Sequence, residues 1–449
     1  MSMEKSMFGA FIDKYFKGTI GKLTELFNGK KKESELLYET MLDEEYSADL
    51  TWNSTSLNHS IVAADVVAMD SSLPLKKRGT IRTAAGDIAK IGIKYQMKEK
   101  AISDINVMKA KGQKEAEIAR KILENVPRAI KGVKVRIEIM FQQALSTGLV
   151  LVTNEDNDGT GVRASFGYAD SHIFHATAAK WSDSENAKPL DDIRQLINKA
   201  NEDSDEIQHF YLSEMYFNYM RKTAQVKELV ATANNQVIIS SATLPQPGRS
   251  KTLEALRDEF NAEFHVVNSS FKYELADGSQ TSIKPWAQPN VVGVPSTKVG
   301  RLVYGTLAED TNRVAGVTYE KSNFILVSQY SHNEPSLAEF TAAQALAMPV
   351  IDDGQSIYVL HADSTNVKLS VDPEALTFSA EAGTEKISVH TEEDKASAET
   401  SEDWLTVSVR GKVVTVKAAA NATGAQRTGS VVISAGGESK TVSVTQEGE

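Results

Sequence analysis

Apolar residues that recur every three or four positions predict a long helix in the segment 113–147. One continuous apolar stripe runs through this segment and comprises Ala119, Ile122, Val126, Ile130, Val133, Ile137, Phe141 and Ala144. Pro127 falls inside the stripe and predicts a kink or a restart there, with the proline in a first turn. Gly148 suits the end of the helix, and the apolar run 149–153 predicts a following strand.

The segment 151–365 alternates between helix-like and strand-like patterns. Amphipathic helices are predicted over 189–202, 211–230, 252–260 and 336–347. Strands are predicted over 166–177, 262–275, 289–295 and 323–331. Together with the long helix, this mixture predicts an α+β body.

The first hundred residues are less regular. Residues 1–60 combine an amphipathic helix, a Gly–Lys loop and polar sequence without a period, which predicts an extended arm that cannot fold alone. Residues 61–100 predict a long two-stranded hairpin with a bend at Gly86–Asp87. Such a hairpin has little core of its own, so we expect it to pack on another subunit. Its basic residues include Lys76, Lys77, Arg78, Arg82, Lys90, Lys94 and Lys98.

The segment 366–449 has a different character. It contains eight basic and thirteen acidic residues, and its only Phe, Tyr or Trp residues are Phe378 and Trp404. Seven short alternating runs are separated by Gly, Asp, Asn and Ser turns. This spacing predicts an all-β sandwich, joined to the body by a linker at 363–366.

Composition and charge limit the function. The chain of 449 residues has a net charge of −11, no cysteine and no apolar run of 18 residues. Disulfides and thiolate metal sites are therefore excluded, and no membrane span is expected. The N-terminus lacks the uninterrupted apolar region of a signal peptide, so we expect assembly in a reducing cytoplasm. The acidic balance argues against a free nucleic-acid binder, and the basic run 30–32 is interpreted as a solvated loop.

Three segments resemble calcium, dinucleotide or metal sites, but each lacks a residue or a geometry that the site needs. The segment 154–165 begins like a calcium loop, but Ser165 stands where a bidentate Glu is needed. The glycines of 159–164 precede a strand-like run, not the helix that a dinucleotide site requires. His172 and His175 lie three apart on a predicted strand and would point to opposite faces.

Two acidic pairs, Asp191–Asp192 and Asp352–Asp353, lie at a predicted helix start and a turn, where they suit the helix dipole better than acid–base catalysis. No hydrolase, metalloprotease or nucleotide-binding motif is present in the sequence. We therefore expect no enzymatic activity, no metal and no cofactor.

Six segments in order resemble the lambda-type phage major capsid protein E family. The first three are an extended basic hairpin (73–102), the end of a spine helix with its strand (134–152), and a strand with Trp181 and an Asp-rich helix start (166–196). The last three are an axial helix (209–222), a strand–turn–strand (264–306) and a closing Met-Pro segment (334–351). The resemblance implies the Hong Kong 97-like fold. Its expected parts are an N-terminal arm (1–60), an extended hairpin loop (61–100), a peripheral domain with the spine helix (101–190), an axial domain (191–310) and a return to the peripheral domain (311–362), followed by the sandwich (366–449).

The resemblance implies a virion shell protein of a tailed bacteriophage. Copies of the chain would form hexamers and pentamers of an icosahedral shell around double-stranded DNA, which is bound without sequence specificity. A separate scaffolding protein and a portal are implied as partners. Lys76, Lys77, Arg78, Arg82, Lys90 and Lys94 are then candidate contacts with the neighbouring subunit, where we expect an acidic surface.

The C-terminal segment resembles the BACON domain, an immunoglobulin-like module. The similar residues are Leu369–Val371, Leu376–Phe378, Trp404–Leu405, Asn421–Thr423, Arg427 and Val442–Gln446. That family is proposed to bind carbohydrate or mucin, which makes Trp404, Asn421 and Arg427 candidate glycan contacts on an outward-facing domain. Because both aromatic residues fall on core-like strand positions, a passive decorating or stabilising role stands beside glycan binding.

Two other classes of protein remain open from the sequence. A host carbohydrate-binding protein could carry such a sandwich, but it should have a signal peptide. A cytoplasmic enzyme would need a catalytic constellation, and the motifs offer none. A pull-down on mucin would test the first class, and the molecular weight in solution would test the second.

Overall fold

The structure is a computed structural model of the chain. It describes residues 5–29, 36–57, 81–152, 162–234, 244–274, 280–333, 336–365, 369–373, 375–391, 396–435 and 438–448. The chain divides into two compact units, Met1–Ser364 and Thr365–Glu449, and each is described by itself below.

The helices of the first unit are α1 (Gly9–Gly29), α2 (Leu37–Met41), α3 (Glu99–Ala110), α4 (Glu115–Ile122), α5 (Asn125–Thr147), α6 (Pro189–Glu202), α7 (Glu214–Met220), α8 (Ala224–Ala233), α9 (Arg249–Phe260) and α10 (Ala308–Thr311). Its strands are β1 (Leu42–Tyr46), β2 (Thr51–Leu57), β3 (Ile81–Asp87), β4 (Lys90–Lys98), β5 (Leu149–Val152), β6 (Val162–Ser165), β7 (Ile173–Ala176), β8 (His209–Ser213), β9 (Glu263–Val267), β10 (Phe271–Glu274), β11 (Gln280–Ile283), β12 (Asn290–Val294), β13 (Gly300–Gly305), β14 (Thr318–Ser322), β15 (Ile325–His332), β16 (Ala338–Ile351) and β17 (Tyr358–Thr365).

Helix α5 is the centre of the first unit. The predicted stripe is buried, and Ile130, Val133, Ile137 and Phe141 are 0% exposed. The restart at the proline is confirmed, because α4 ends at Ile122 and Pro127 lies in the first turn of α5. Gly148 ends the helix at φ 71°, a left-handed conformation that glycine adopts without strain.

A six-stranded sheet packs on α5. The strand order is β1-β13-β16-β15-β14, and β4 pairs with β16. Leu346 pairs with both Gly305 and Lys90, so β4 lies along one edge of β16 while β15 and β13 follow each other along the opposite edge. The long strand β16 is therefore paired on both sides.

The predicted helix over 336–347 is wrong, because this segment forms most of β16. Its Ala, Leu and Glu residues favour a helix locally. Sheet pairing on both edges and burial override that preference, and small side chains at Ala343, Ala345 and Ala347 are fully buried in the core that also contains α5.

A second sheet of the first unit has five strands in the order β7-β17-β12-β8-β9. Helices α6, α7, α8 and α9 contribute to the hydrophobic core of this sheet. The prediction of α6 is confirmed at both ends, whereas the predicted helix 211–230 begins instead as β8 and is divided into α7 and α8. The Ser213 hydroxyl accepts a hydrogen bond from the Tyr216 N–H and so caps α7 at the true helix start.

The second unit is a β-sandwich. Its strands are β18 (Leu369–Asp372), β19 (Ala375–Phe378), β20 (Gly383–Thr391), β21 (Ser397–Glu399), β22 (Leu405–Arg410), β23 (Val413–Ala418), β24 (Arg427–Ala435) and β25 (Glu438–Gln446). They form two four-stranded sheets, β18-β20-β23-β22 and β19-β25-β24-β21. The sandwich is confirmed, and the strand that the sequence pattern missed is the three-residue β21.

Candidate assembly and binding surfaces

The basic hairpin lies only partly within the described residues. Lys76, Lys77 and Arg78 are outside them, and Arg82 lies on β3. Strand β3 pairs antiparallel with β2 along its whole length. The partner of β3 is therefore 51–57, a segment that the polar pattern had assigned to the arm.

Lys90 and Lys94 lie on β4, in the six-stranded sheet. Their prediction as part of the two-stranded hairpin is wrong, because β4 buries Ile91 and Met97 against the body and pairs with β16. Both lysines are exposed, and the Lys94 Nζ lies 5.3 Å from the centre of the Phe340 ring. Whether they contact a second subunit stays a prediction.

Strand β1 carries an acidic run at the end of the sheet order. Arg301 on β13 binds Glu45, donates from Nε to Asp352 Oδ1 at 2.7 Å, and donates from Nη2 to the Asn53 carbonyl at 2.9 Å. Lys298 Nζ lies 2.6 Å from Asp43 Oδ1. These contacts neutralise two of the three carboxylates of β1 and join β1, β2 and β13.

The third carboxylate of β1, Glu44, lines a cavity of about 410 Å³. Tyr46 stands at the same cavity with 54% of its surface exposed, and its ring centre lies 5.7 Å from that of Tyr304. Asp310 also lines the cavity but already binds Lys321 and Arg313. Glu44 and Tyr46 thus form an open acidic and aromatic patch, which we call the β1 patch.

Helix α1 of the arm packs on the first unit of its own chain. Four residues spaced by four, Phe8, Ile12, Phe16 and Ile20, are each at most 2% exposed. The Lys109 Nζ lies 4.5 Å from the centre of the Phe8 ring. The arm is therefore helical and anchored here, and the spacing of its apolar residues was the signal for this docking.

Two buried carboxylates hold backbone groups of the arm. Glu138 on α5 accepts hydrogen bonds from the Leu37 and Tyr38 N–H groups, both at 3.0 Å. Glu339 on β16 accepts one from the Met7 N–H at 3.3 Å. Burial raises the pKa of both carboxyl groups, that of Glu339 to about 7. The sequence pattern did not single out either residue.

Asp192 lies in the first turn of α6 and also holds residues of the preceding loop by hydrogen bonds. It is fully buried and accepts hydrogen bonds from the Trp181 Nε1 at 2.8 Å and from the Thr177 N–H at 2.7 Å. Burial raises the pKa of this carboxyl group. The Trp–Asp pair thus fixes the loop before α6.

The histidines have structural partners. His172 Nε2 lies 3.0 Å from Asp203 Oδ2, and His175 Nδ1 lies 2.6 Å from Ser364 Oγ. In the described part of the chain, no group of three or more His, Asp and Glu side chains could hold a metal ion. The calcium-like segment lies mostly outside the described residues, as does the run 30–32.

The three candidate glycan residues lie close together at one end of the sandwich. The Arg427 guanidinium lies 4.3 Å from the centre of the Trp404 ring, and Arg427 Nη2 donates to the Gln446 Oε1 at 2.7 Å. Arg427 Nη2 also donates to the Ala419 carbonyl at 2.6 Å. The arginine therefore covers one face of the tryptophan ring that a sugar would need.

Asn421 is 1% exposed and closes the same end. Its Nδ2 donates to the Ala425 carbonyl at 2.9 Å and to the Glu447 carbonyl at 3.0 Å, while its Oδ1 accepts from Thr423 Oγ1 at 2.6 Å. Its amide is occupied by the fold, so this cluster is built as a structural network.

The described residues contain no helix that is long and apolar enough to cross a membrane. A search of curated proteins finds no significant match. Among solved structures, the chain resembles a protein described as the capsid protein of an Escherichia coli CFT073 prophage, with 15% identity and a TM-score of 0.47 over 76% of this chain and 98% of that one. The capsid asymmetric unit of cyanophage A-1(L) matches with 12% identity and a TM-score of 0.40 over 73% of this chain and 91% of that one.

The C-terminal part has matches of its own. A xyloglucanase from Bacteroides ovatus, solved with a heptasaccharide, matches 18% of this chain and 19% of its own, with 28% identity and a TM-score of 0.17. The profile of the BACON family, described as a binding domain, matches residues 393–447.

The sequence profile of the family described as phage major capsid protein E matches residues 20–358, most of the 449-residue chain. The predicted fold class, a capsid body of the α+β class with a C-terminal β-sandwich, is confirmed. The chain belongs to the phage major capsid protein E family, carries a BACON domain at its C-terminus, and is a structural component of the virion shell.

Proposed function

We propose that the chain assembles as hexamers and pentamers into an icosahedral shell around double-stranded DNA. The observation that carries this proposal is the family match over 20–358, which spans nearly the whole first unit. A separate scaffolding protein and a portal would guide assembly in the host cytoplasm. The net charge of −11 fits a container that holds DNA without binding a sequence.

Electron microscopy of the protein, expressed alone and together with its neighbouring phage genes, tests this proposal. Closed shells, tubes or ring-shaped capsomers support it. Small monodisperse monomers under both conditions contradict it. Weak contacts between neighbours suffice for a stable shell, because a closed symmetric assembly makes many of them at once.

The basic hairpin supplies the inter-subunit contact in this proposal. Lys76, Lys77 and Arg78 would meet the β1 patch of the adjacent subunit, because Glu44 is the carboxylate of β1 without an ion pair among the described residues. An exposed Tyr46 beside it offers an aromatic face to an incoming guanidinium or ammonium group. Arg82, Lys90 and Lys94 would extend the same interface.

Charge reversal tests the contact. A variant with Lys76→Glu, Lys77→Glu and Arg78→Glu should lose assembly while its far-UV circular dichroism stays that of the wild type. Adding Glu44→Lys should restore part of the assembly if the β1 patch is the partner. The matched control reverses three exposed cations of the second unit, Lys386, Arg410 and Lys417, and should form normal shells. Normal shells from the hairpin variant would refute the contact.

We further propose that the second unit faces outward on the shell and binds a glycan. The BACON match at 393–447 supports this role. Shells of the full chain should be retained on immobilised mucin, and shells of a variant that lacks 365–449 should not be. Equal retention of both would leave the sandwich with a decorating or stabilising role.

A further inference from the structure

One face of the sandwich differs from the rest of the second unit. Strands β20, β23 and β22 are adjacent, and Ile387, Val414 and Val416 point into the core with 0% exposure. Because side chains alternate along a strand, the intervening positions point outward. These outward residues are Thr384, Lys386, Ser388, Thr406, Ser408, Arg410, Val413, Thr415 and Lys417, and together we call them the basic face.

The nine residues of the basic face include three cations and no carboxylate, and Asp372 on the fourth strand of the sheet, β18, pairs with Ser388 at the edge of the face. Lys386, Arg410 and Lys417 are exposed, and within the described residues none of them has an ion-pair partner. The segment 366–449 as a whole holds eight basic and thirteen acidic residues, so its net charge is 8 − 13 = −5. Three of the eight basic residues therefore lie on this face, whose sign is opposite to that of the unit as a whole.

The remaining polar groups of the basic face are hydroxyls that the fold does not use. In the described part of the chain, Thr384, Thr406, Ser408 and Thr415 make no side-chain hydrogen bond. The cluster of Trp404, Asn421 and Arg427 differs from the basic face, because the polar atoms of Arg427 and Asn421 form hydrogen bonds within the sandwich. The hydroxyls between the three cations are thus available to a ligand.

The cations are spaced for an extended ligand. Lys386 and Lys417 lie on neighbouring strands with an offset of two residues, which places their Cα atoms about 8 Å from each other. Arg410 lies two strands from Lys386, about 12 Å away. A ligand with one negative charge per one or two sugar rings would reach two or three of these cations at once.

We infer that the basic face binds an anionic polysaccharide, a sulfated or uronic-acid-containing glycan, through its three cations and the hydroxyls between them. The inference rests on the proposed outward display of the second unit and names the ligand class and the surface. Double-stranded DNA fits the face less well, because three cations neutralise few phosphates and the unit is otherwise acidic.

Each contact is weak in a single copy. Exposed ion pairs contribute little, and salt screens them, so one isolated unit should bind only loosely. A shell that displays many copies converts such contacts into firm attachment, provided that one polymer reaches several units.

The test uses assembled shells of the full chain on immobilised chondroitin sulfate, with neutral dextran and a DNA duplex as comparison ligands. Wild-type shells should bind chondroitin sulfate at low ionic strength and be released by salt. Lys386→Glu, Arg410→Glu and Lys417→Glu should each weaken binding by about three- to tenfold per site. Lys440→Glu is the matched control, because Lys440 is exposed on β25 of the other sheet and should leave binding unchanged.

The outcomes separate this inference from the proposed glycan role. Glycan binding that the three reversals leave unchanged, or equal binding of dextran, overturns the basic face and leaves the broader role intact. Binding of neither glycan overturns both. Tighter, reversal-sensitive binding of DNA would replace the polysaccharide with a nucleic acid. Thr415→Ala, which removes a hydroxyl without changing charge, should weaken chondroitin sulfate binding without changing its salt dependence.

Discussion

Glu339 should make the docking of the arm depend on pH. Its side chain is 2% exposed on β16 and accepts a hydrogen bond from the Met7 N–H. Its other oxygen, Oε1, has no hydrogen-bond partner among the described residues. The hydrogen bonds from Ser6 and Met7 lower the pKa, but burial outweighs them and raises it from 4.5 to about 7.

The sign of the effect follows from the direction of the shift. When the arm is docked, the carboxyl group keeps its proton up to about pH 7, whereas an exposed carboxyl group loses it near 4.5. Docking is therefore strongest below the lower value and weakens as the pH rises through this window. The full difference corresponds to about 3 kcal/mol above the upper value.

Glu339→Gln removes the charge and keeps both a donor and an acceptor. Amide hydrogen exchange of α1, compared between variant and wild type at the same pH, measures the docking. At about pH 8 the variant should be protected up to about 100-fold more strongly, and at about pH 5 the two should converge. Glu206→Gln, at an exposed position, is the control and should change nothing at either pH.

A gain in protection that is the same at both pH values would show that packing, not charge, limits the docking. A loss of protection at high pH would mean that the ionised carboxylate stabilises the arm. Either result would refute the reasoning.

Three further substitutions test the framework. Gly148→Ala places a Cβ 2.8 Å from the Tyr168 ring at φ 71°, so it should lower the free energy of unfolding by about 2 kcal/mol or more in a urea titration. Gly112→Ala is the control, because Gly112 has φ 65° but open space around it, and this change should lower the free energy of unfolding by about 1 kcal/mol. Arg427→Ala should lower the melting temperature of the sandwich by about 5 °C or more, and Arg410→Ala should leave it within about 2 °C. Glu138→Ala removes the acceptor of two N–H groups at the start of α2, so limited proteolysis should cut near this helix sooner than in the wild type.

The elements that the sequence predicted best are those where local pattern and tertiary environment agree. The stripe of α5 and its glycine end are examples, because burial of one helical face needs the same spacing in sequence and in space. The sandwich strands follow from simple alternation, because each of the two sheets buries one face against the other. In β16, by contrast, local preference favours a helix, and pairing with other strands along both edges decides the outcome.

The candidate sites were harder to predict because they depend on partners distant in sequence. In sequence, Lys90 and Lys94 continue the run of basic residues of the hairpin. The pairing of β4 with β16 shows that they belong to the six-stranded sheet instead. Trp404 and Arg427 are both predicted glycan contacts, but the Arg427 guanidinium covers one face of the Trp404 ring. The basic face escaped notice because its cations are spread over three strands and become neighbours only through sheet register.

The two buried carboxylates of the body bind the arm in the same way but with different strength. Glu138 accepts hydrogen bonds from two backbone N–H groups and from Gln142, whereas among the described residues Glu339 accepts from one backbone N–H, that of Met7, and from the Ser6 side chain. A buried carboxylate costs desolvation energy, and hydrogen bonds offset this cost only when they are sufficient in number. The contact near Glu138 should therefore hold under conditions that release the contact at Glu339. As the pH rises, the arm should detach first at its N-terminal helix and keep its attachment at α2, so that exchange in α1 should accelerate before exchange in α2.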